Sequence, residues 1–564
     1  VTINIESCDS FQDRKCKEGI LILSKAIELT FYEGGGVNCI GGNKFLLQAD
    51  GTAIFLDFGQ SFSLEKKFFD EFLNPRPGAG LGDLFALNFI PPIKGIYRED
   101  LEVPEKNWWE KLTSHPQYQE LEIDGVLLSH AHLDHSGYIS FIDTKIPIIT
   151  SLTTATLVKA IQDSARTTFQ SETCYITPRE CTPENLLKAT LTKIPYEQRQ
   201  FVALNAHPLS REYEEFWQLT PTKRPLTYCH LNIFPEDTMR LGNLSIKLWP
   251  VDHSIPGACA FGIQTSLGWV IYTGDYRFHG KNGHLTRQFI EEASRLKPIL
   301  LITEGTRAVL DFQTDQKTLT EDDVADCIEK IIYQAKGLVI TDFGARHVER
   351  LLSVLHACIQ NGRKLVITTR DAYLLESLSL VNHSEIPNPL QDEHLAVYIK
   401  ARVSPTTWEK GVIEKYRFRS VSAQEIHSHQ KEYVLCFSYY DLNELIDIEP
   451  DPGGSYIFSS TEAFNEEMEI DAEKLLNWIR HFQFELYGHP NRKNFEIITH
   501  NQDYILHVGG HAGPKDLIET IETICPQYLI PVHTEYAVFF EKQFGNHPDI
   551  RLMVPAQNQS FIIE

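Results

Sequence analysis

The stretch Ile123–Gly137, IDGVLLSHAHLDHSG, decides how this chain reads. Its first half, Gly125–Ser129, is a short apolar run of strand type. Its second half packs four metal-ligand side chains, His130, His132, Asp134 and His135, into six residues. Imidazole nitrogens and a carboxylate suit zinc- or manganese-like ions. An extended chain turns alternate side chains to one side, so His130, His132 and Asp134 are expected to face together. His135 then needs a turn to join them. A mere surface histidine cluster would require neither the preceding strand nor the Ser136-Gly137 turn that follows.

Reading outward, polar groups recur at the ends of apolar runs. KFLLQ and AIFLDF, joined by the turn Ala49-Asp50-Gly51, read as two strands with Asp57 at the second strand's end. LSIKLWPVDH ends on His253, GWVIYTGDY carries Asp275, KPILLITEG ends on Glu304, and LIPVHTEY ends on His533. Functional groups gathered at strand ends are what a catalytic rim looks like. The ligands divide into two sets, His130, His132, His253 and Asp134, His135, His533, with Asp275 as the bridging carboxylate. Such a site implies two divalent metal ions, zinc or manganese, and a hydrolase that activates water. His511, in His507-Val-Gly-Gly-His511-Ala, is the candidate to assist a leaving oxygen, and His507 and His511 are candidates to touch a scissile phosphate. Glu304 is expected to orient one of these histidines, and Asp57 to support a ligand histidine. Ser459 and Ser460, after SYIF, are candidate phosphate contacts, and Arg346 and His347 open a helix in a similar setting.

The chain has 564 residues, enough for two to four domains. Its net charge of -24 argues against non-specific nucleic-acid binding over the whole surface, but bound cations would reverse the field at a metal site. Eleven scattered cysteines without a CxxC pair point to free thiols and a cytoplasmic setting. No apolar run reaches membrane-span length, so no membrane partner is expected. No Gly-x-Gly-x-x-Gly or Walker pattern calls for a nucleotide cofactor. Residues 151–240 read as mostly helical and loop material. From 306 to 498 the pattern changes to α/β alternation: a helix over LTEDDVADCIEKIIYQAKG, a strand LVITDFG, a helix ARHVERLLSVLHACIQNG, a strand KLVITT, and further strands in YVLCFSYY, SYIFSS and FEIITH. Residues 503–533 read as strand, Gly-rich turn, helix, strand and histidine, in the style of the first 305 residues.

HAHLDH, with Asp57 before it and His253 and Asp275 after it, resembles the metallo-β-lactamase superfamily. Glu304 in ITEGT, the HVGGHA segment and PVHTEY narrow the resemblance to the β-CASP nucleases, near ribonuclease J and the archaeal cleavage-factor-like ribonucleases. The resemblance implies an αββα sandwich with an inserted β-CASP α/β domain. The expected division is 1–305 for the first part of the sandwich, 306–498 for the insert and 499–564 for the final part. It implies a metal-dependent ribonuclease, 5′-to-3′ exonuclease with endonuclease activity, acting on single-stranded RNA. DNA or a small phosphodiester or ester is the alternative substrate, a non-catalytic scaffold the second alternative, and a homodimer a compatible assembly. Two departures stand out: Gly509 where ribonuclease J has serine, and Thr534 where it often has glycine.

Overall fold

A computed structural model describes residues 26–564 apart from 33–34, 71, 166–167, 191–193, 208, 221, 223, 228–230, 313–317, 345, 382–385, 461–465 and 489–503. Two sheets face each other. The first runs Leu231–Ile233, Phe201–Leu204, Ile148–Ser151, Gly125–Leu127, Thr52–Leu56, Phe45–Ala49, Ile27–Phe31, Gln559–Ile563. The second runs Thr238–Leu241, Leu244–Pro250, Cys259–Thr265, Gly268–Tyr272, Leu300–Glu304, Tyr528–Val532, Arg551–Leu552. Period-two alternation explains their packing. Leu244, Ile246 and Leu248 point inward from one strand, with Ser245 and Lys247 less buried between them. Phe45, Leu47, Ile54 and Leu56 of the first sheet meet Ile246, Phe261, Ile263 and Val270 of the second in one apolar layer. The helices Gly283–Arg295, Pro514–Ile524 and Ala537–Phe544 cover the second sheet's outer face through Phe289, Leu517, Ile521 and Phe540. The helix Leu152–Ser164, N-capped by Ser151, packs against the first. The result is the αββα sandwich.

The hairpin between Phe45–Ala49 and Thr52–Leu56 turns through Asp50 and Gly51, whose φ angles of 52° and 74° match the twist of the strands. The last part of the chain returns to the sandwich. Tyr528–Val532 pairs in parallel with Leu300–Glu304, and Gln559–Ile563 pairs antiparallel with Ile27–Phe31.

A third, parallel sheet runs Ser420–Val421, Leu395–Tyr398, Lys364–Thr368, Tyr433–Cys436, Val339–Asp342, Ser455–Phe458, Glu485–Tyr487. Its strands are nearly continuous apolar runs, as burial on both faces demands. The helix Glu321–Gln334 starts at a capping box between Thr320 and Asp323, and Val348–Gln360 starts at His347. Among the described residues, no helix is long and apolar enough to cross a membrane.

Several expectations change. The region 151–240 is not only helix and loop: Phe201–Leu204 is an interior strand of the first sheet, paired in parallel with Ile148–Ser151. Residues 504–508 do not form a strand, although they are partly buried. Val339–Asp342 and Lys364–Thr368 are parallel but not neighbours, because Tyr433–Cys436 lies between them. FEIITH falls outside the described residues.

Candidate metal centre

The strand Gly125–Leu127 ends three residues before His130, and the chain does not stay extended. A short helix, Leu133–Ser136, begins after His132, so the expected alternation fails. Asp134 and His135 leave the first turn of that helix toward one side of the site, while His130 and His132 face the other. Glycines allow the surrounding loops to lie against this turn. A β-carbon on Gly59 would sit 1.7 Å from the Asp134 carbonyl oxygen, and one on Gly41, with φ of 82°, would sit 2.7 Å from Asp134 Cβ.

Two groups of ligand atoms result. His132 Nδ1 lies 3.1 Å from His130 Nε2 and 3.2 Å from His253 Nε2. His533 Nε2 lies 3.2 Å from Asp134 Oδ2, which is 3.9 Å from His135 Nε2. Asp275 Oδ2 stands between the groups, 3.1 Å from His135 Nε2, 3.7 Å from His130 Nε2, 3.7 Å from His533 Nε2 and 3.9 Å from His253 Nε2. His130, His132, His253 and Asp134, His135, His533 each form a set whose ligand atoms lie within 4.8 Å of one another. These nitrogen and carboxylate donors suit two divalent cations. The protein alone leaves part of this donor capacity unused: His135 Nε2 and Asp275 Oδ1 are buried with no hydrogen-bond partner among the described residues. Buried polar atoms rarely stand so, and a cation would satisfy both.

The far side of four of the five ligand rings is held. His135 Nδ1 is 2.6 Å from Asp57 Oδ2, which fixes the proton there and turns Nε2 inward as a lone pair. Asp57 itself accepts from Ser129 N at 2.7 Å, Ser129 Oγ at 2.8 Å and Tyr272 OH at 2.6 Å. His130 Nδ1 meets Ser129 Oγ at 3.0 Å, His253 Nδ1 donates to the Gly510 carbonyl at 2.6 Å, and His533 Nδ1 meets Thr306 Oγ1 at 2.7 Å. Asp57 and His533 both occupy left-handed backbone, with φ of 57° and 52°. Such strain collects where a side chain must be aimed. Burial, reinforced by neighbouring imidazoles, pushes the His130 and His253 pKa values well below the usual histidine value. Burial likewise pushes His132 down to about 4. A neutral imidazole is the form that binds a cation.

His511 and Glu304 adjoin this centre. His511 Nδ1 is 3.0 Å from Glu304 Oε2 and 3.8 Å from Asp275 Oδ2. Glu304 Oε1 accepts from Tyr276 N at 3.0 Å. Burial would lower the His511 pKa, but the Glu304 and Asp275 charges outweigh it and raise it to about 9.

The other sequence candidates lie elsewhere. His507 faces Arg350 and Ser459 and is not in the imidazole cluster; burial and the Arg350 charge push it down to about 4. Ser459 is buried, and its hydroxyl is occupied by the Leu506 carbonyl and the Arg350 guanidinium, so it is not available to a phosphate. Ser460 is half-buried and lines a cavity of the third sheet. Arg346 lies close enough for its charge to act on Asp134 and His132. At Gly509 the space beside Cα is taken by Arg307, whose Cδ would be 3.4 Å from an added Cβ; this is ordinary contact, so serine would also fit. Thr534 is buried and its hydroxyl accepts from Tyr536 N at 3.0 Å.

Sequence reasoning missed a buried ionic network behind the site. Arg277 reaches Asp252 at 3.2 Å, Glu321 at 2.8 Å and Glu349 at 2.6 Å. Arg350 reaches Glu321 at 2.8 Å and the Leu506 carbonyl at 3.1 Å. His279 Nε2 donates to the Gly509 carbonyl at 2.7 Å. The network therefore ties the loops that carry His253, Asp275 and His511 to the helices Glu321–Gln334 and Val348–Gln360. Its one sequence signal was a set of charged residues at the starts of otherwise apolar helices.

The fold is of the metallo-β-lactamase type, and the site is a candidate two-metal centre. Comparison with known proteins gives the branch. Residues 500–544 match the Zn-dependent metallo-hydrolase RNA specificity domain. Over 302 residues the chain is 26% identical to ribonuclease J of Pyrococcus abyssi, covering 52% of this chain and 60% of that protein. It is 24% identical over 294 residues to ribonuclease J 2 of Streptococcus pyogenes serotype M3, covering 52% and 47%. It is 21% identical over 505 residues to ribonuclease J of Helicobacter pylori strain B128, covering 89% and 55%. The chain spans about half the length of the curated relatives it matches. A crystal structure of a protein of unknown function from Enterococcus faecalis V583 aligns with a TM-score of 0.63 at 20% identity, over 95% of this chain and 100% of that one, and shows the same fold. The chain is similar to ribonuclease J of the β-CASP family in the metallo-β-lactamase superfamily.

The Asp57–His135 contact makes a direct prediction. Asp57→Asn keeps the shape and suits left-handed backbone, where asparagine is well tolerated. It removes the charge that fixes the His135 tautomer. Metal affinity is expected to fall about 10–100-fold, measured by chelator competition, with the circular dichroism spectrum unchanged.

Proposed function

We propose that this chain is a metal-dependent ribonuclease that hydrolyses RNA phosphodiesters, acting 5′ to 3′ with endonuclease capability. The carrying observation is the pair of three-ligand sets sharing Asp275, with the His511–Glu304 pair at 3.8 Å from that carboxylate. His130, His132 and His253 would hold one ion, and Asp134, His135 and His533 the other, zinc or manganese. When bound, the ions supply activated water near neutral pH and neutralise phosphoryl charge.

The chain's own residues do the rest. Water attacks phosphorus, the P–O3′ bond breaks, and His511 gives a proton to the departing O3′, leaving a 3′-hydroxyl and a 5′-phosphate. Glu304, held by Tyr276 N, keeps the His511 ring oriented through Nδ1, so Nε2 is the atom that serves the leaving oxygen. Arg346 brings a cation to the Asp134 side of the centre, where a phosphate would otherwise meet carboxylates. The ribonuclease J likeness favours single-stranded RNA over DNA. The third sheet, within residues 306–498, would be an insert, because strands from before and after it build the same two sheets. The eight described cysteines are all free, which supports work in a reducing compartment such as the cytoplasm.

The test is cleavage of 5′-phosphorylated and 5′-hydroxyl strands of RNA and DNA by zinc- or manganese-loaded protein. Release of 5′-mononucleotides from phosphorylated RNA supports the proposal. No cleavage of any strand at full metal occupancy overturns it. Within this reading, His511→Ala is expected to lower kcat about 10²–10⁴-fold, with metal content unchanged by elemental analysis. Loss of metal from that variant would instead make His511 a ligand.

A further inference from the structure

The carboxyl end of the third sheet carries a row of aspartates. Three neighbouring strands, Lys364–Thr368, Tyr433–Cys436 and Val339–Asp342, lie side by side there. Asp371 folds back over the first: its Oδ2 accepts from Thr368 N at 3.1 Å and from Thr368 Oγ1 at 2.8 Å. Asp441 folds back beyond the second, where its Oδ2 accepts from Ser438 N at 3.0 Å and from Ser438 Oγ at 2.8 Å. Asp342 is the last residue of the third. The Asp441 charge bears on both Asp342 and Asp371, as its middle position requires. Strands lie about 4.8 Å apart, so the carboxylates step at about that interval and the outer two stand roughly 10 Å apart.

A cavity of about 550 Å³, within the range of small-molecule sites, opens over this row and includes a fourth aspartate, Asp471. Asp371 and Asp441 have local work as caps; Asp342 has none. Asp342 lines the cavity and is 5% exposed, and among the described residues its carboxylate accepts only from Tyr456 OH, at 2.6 Å. Burial, with the Asp441 charge beside it, pushes its pKa up to about 7. Among the described residues, no cation pairs with it. Lys400 is held by Asp441 at 2.8 Å and Glu444 at 3.8 Å, and Lys474 by Asp471 at 3.1 Å. Arg370 is exposed at the rim, where its charge bears on Asp371. A buried carboxyl so poorly paired is stabilised in its charged form by an arriving cation.

The spacing selects the cation. A single metal ion needs oxygens gathered around one point. Among the described residues, no three of these carboxylates bring ligand atoms within 4.8 Å of one another, as the metal-centre sets do. A row needs an extended cation. Ammonium groups joined by three or four methylenes stand about 5–6 Å apart when extended, close to one strand step. Methylenes pack on aromatic faces and ammonium groups are attracted to them, so the walls supplied by Phe343, Tyr440 and Phe458 suit both parts. We propose that this cavity binds a linear polyamine, with its terminal ammonium groups on Asp342 and Asp371 and an inner ammonium beside Asp441. The site shares no residue with the metal centre and does not rest on the hydrolytic reading.

The test is calorimetric titration of the zinc-loaded full chain with butylamine, putrescine and spermidine at about pH 8, where Asp342 is largely ionised. Spermidine is expected to bind once per chain, at least about tenfold more tightly than putrescine, which spans a single step, and more tightly again than butylamine. Asp342→Asn is expected to weaken spermidine about tenfold. The neutral amide keeps the Tyr456 contact and stands where burial already favours a neutral carboxyl, so the variant should fold. Arg370→Ala removes an exposed, repelling cation and is expected to tighten spermidine about two- to fivefold. Asp451→Asn, an exposed change at the opposite edge of the sheet, is expected to leave binding unchanged. No binding, spermidine no tighter than butylamine, or weaker spermidine binding after Arg370→Ala overturns the proposal. So do several spermidines per chain that neither Asp342→Asn nor Asp371→Asn weakens, which would be a diffuse counter-ion layer on a chain of net charge -24.

Discussion

Asp275→Asn is expected to lower RNA hydrolysis by about 10³-fold or more and to release at least one of two bound ions. Asp275 Oδ2 is within 4 Å of four imidazoles from both ligand sets, at 3.1, 3.7, 3.7 and 3.9 Å. No other carboxylate in the site stands between the two sets. Asparagine keeps the volume but carries no charge and can turn an NH₂ group toward the ions. Two cations held close together would then repel without the anion that screens them. The variant should fold, because Asp275 is 2% exposed and its Oδ1 has no partner to lose. Elemental analysis of metal per chain and a single-turnover assay check the two halves separately. Full occupancy with wild-type rate would remove Asp275 from the bridging position. Unlike His511→Ala, which keeps its metal, this variant should lose metal together with rate, since His511 serves one proton transfer while Asp275 serves both ligand sets.

Much of the metal centre was legible because its chemistry is local. Four ligand types in six residues cannot be mistaken for packing, and Asp57, His253, Asp275, Glu304 and His533 each follow an apolar run that reads as a strand. What failed was geometry within the run. The alternation expected of His130, His132 and Asp134 gives way to a helix starting at Leu133, because the backbone groups after His132 pair locally: Ser136 N and His135 N both donate to the His132 carbonyl. The strands Phe201–Leu204 and Cys259–Thr265 were not read, since the first is four residues long and the second ends on Gln264 and Thr265, not on a metal-ligand side chain. In the parallel sheet, strand type was legible but neighbour order was not. Tyr433–Cys436 inserts between two strands that lie closer in sequence to each other, and nothing local records that. Ser459 looked like a phosphate contact because its hydroxyl follows a strand. Only tertiary structure shows Arg350 and the Leu506 carbonyl already using it.

The network around Arg277 is the part that sequence could not supply, and it carries the second large expectation. Arg277 is fully buried and meets Asp252, Glu321 and Glu349, which are 25, 44 and 72 residues away along the chain. Arg277→Met keeps much of the apolar stem but leaves three carboxylates with one fewer cation. Removing one partner of a buried ionic cluster costs about 3–5 kcal/mol, because the remaining charge stays desolvated. Chemical denaturation should therefore show a lower midpoint. Activity should fall as well, since Asp252 precedes His253 and Arg277 lies two residues beyond Asp275. The acid response gives an independent check. Burial alone would raise the Glu321 pKa, but the hydrogen bond from His347 and the charges of Arg350 and Arg277 hold it well below the usual carboxylate range. A carboxylate depressed in the folded state stabilises above its unfolded value of about 4.5 and loses that contribution as pH falls toward the folded value. Wild-type stability should thus decline below about pH 4.5. Arg277→Met, with part of the depression removed, should decline less steeply there. An unchanged midpoint and an unchanged acid slope would show that Glu321 is held by Arg350 and His347 alone, and that the sandwich and the parallel sheet are joined without Arg277.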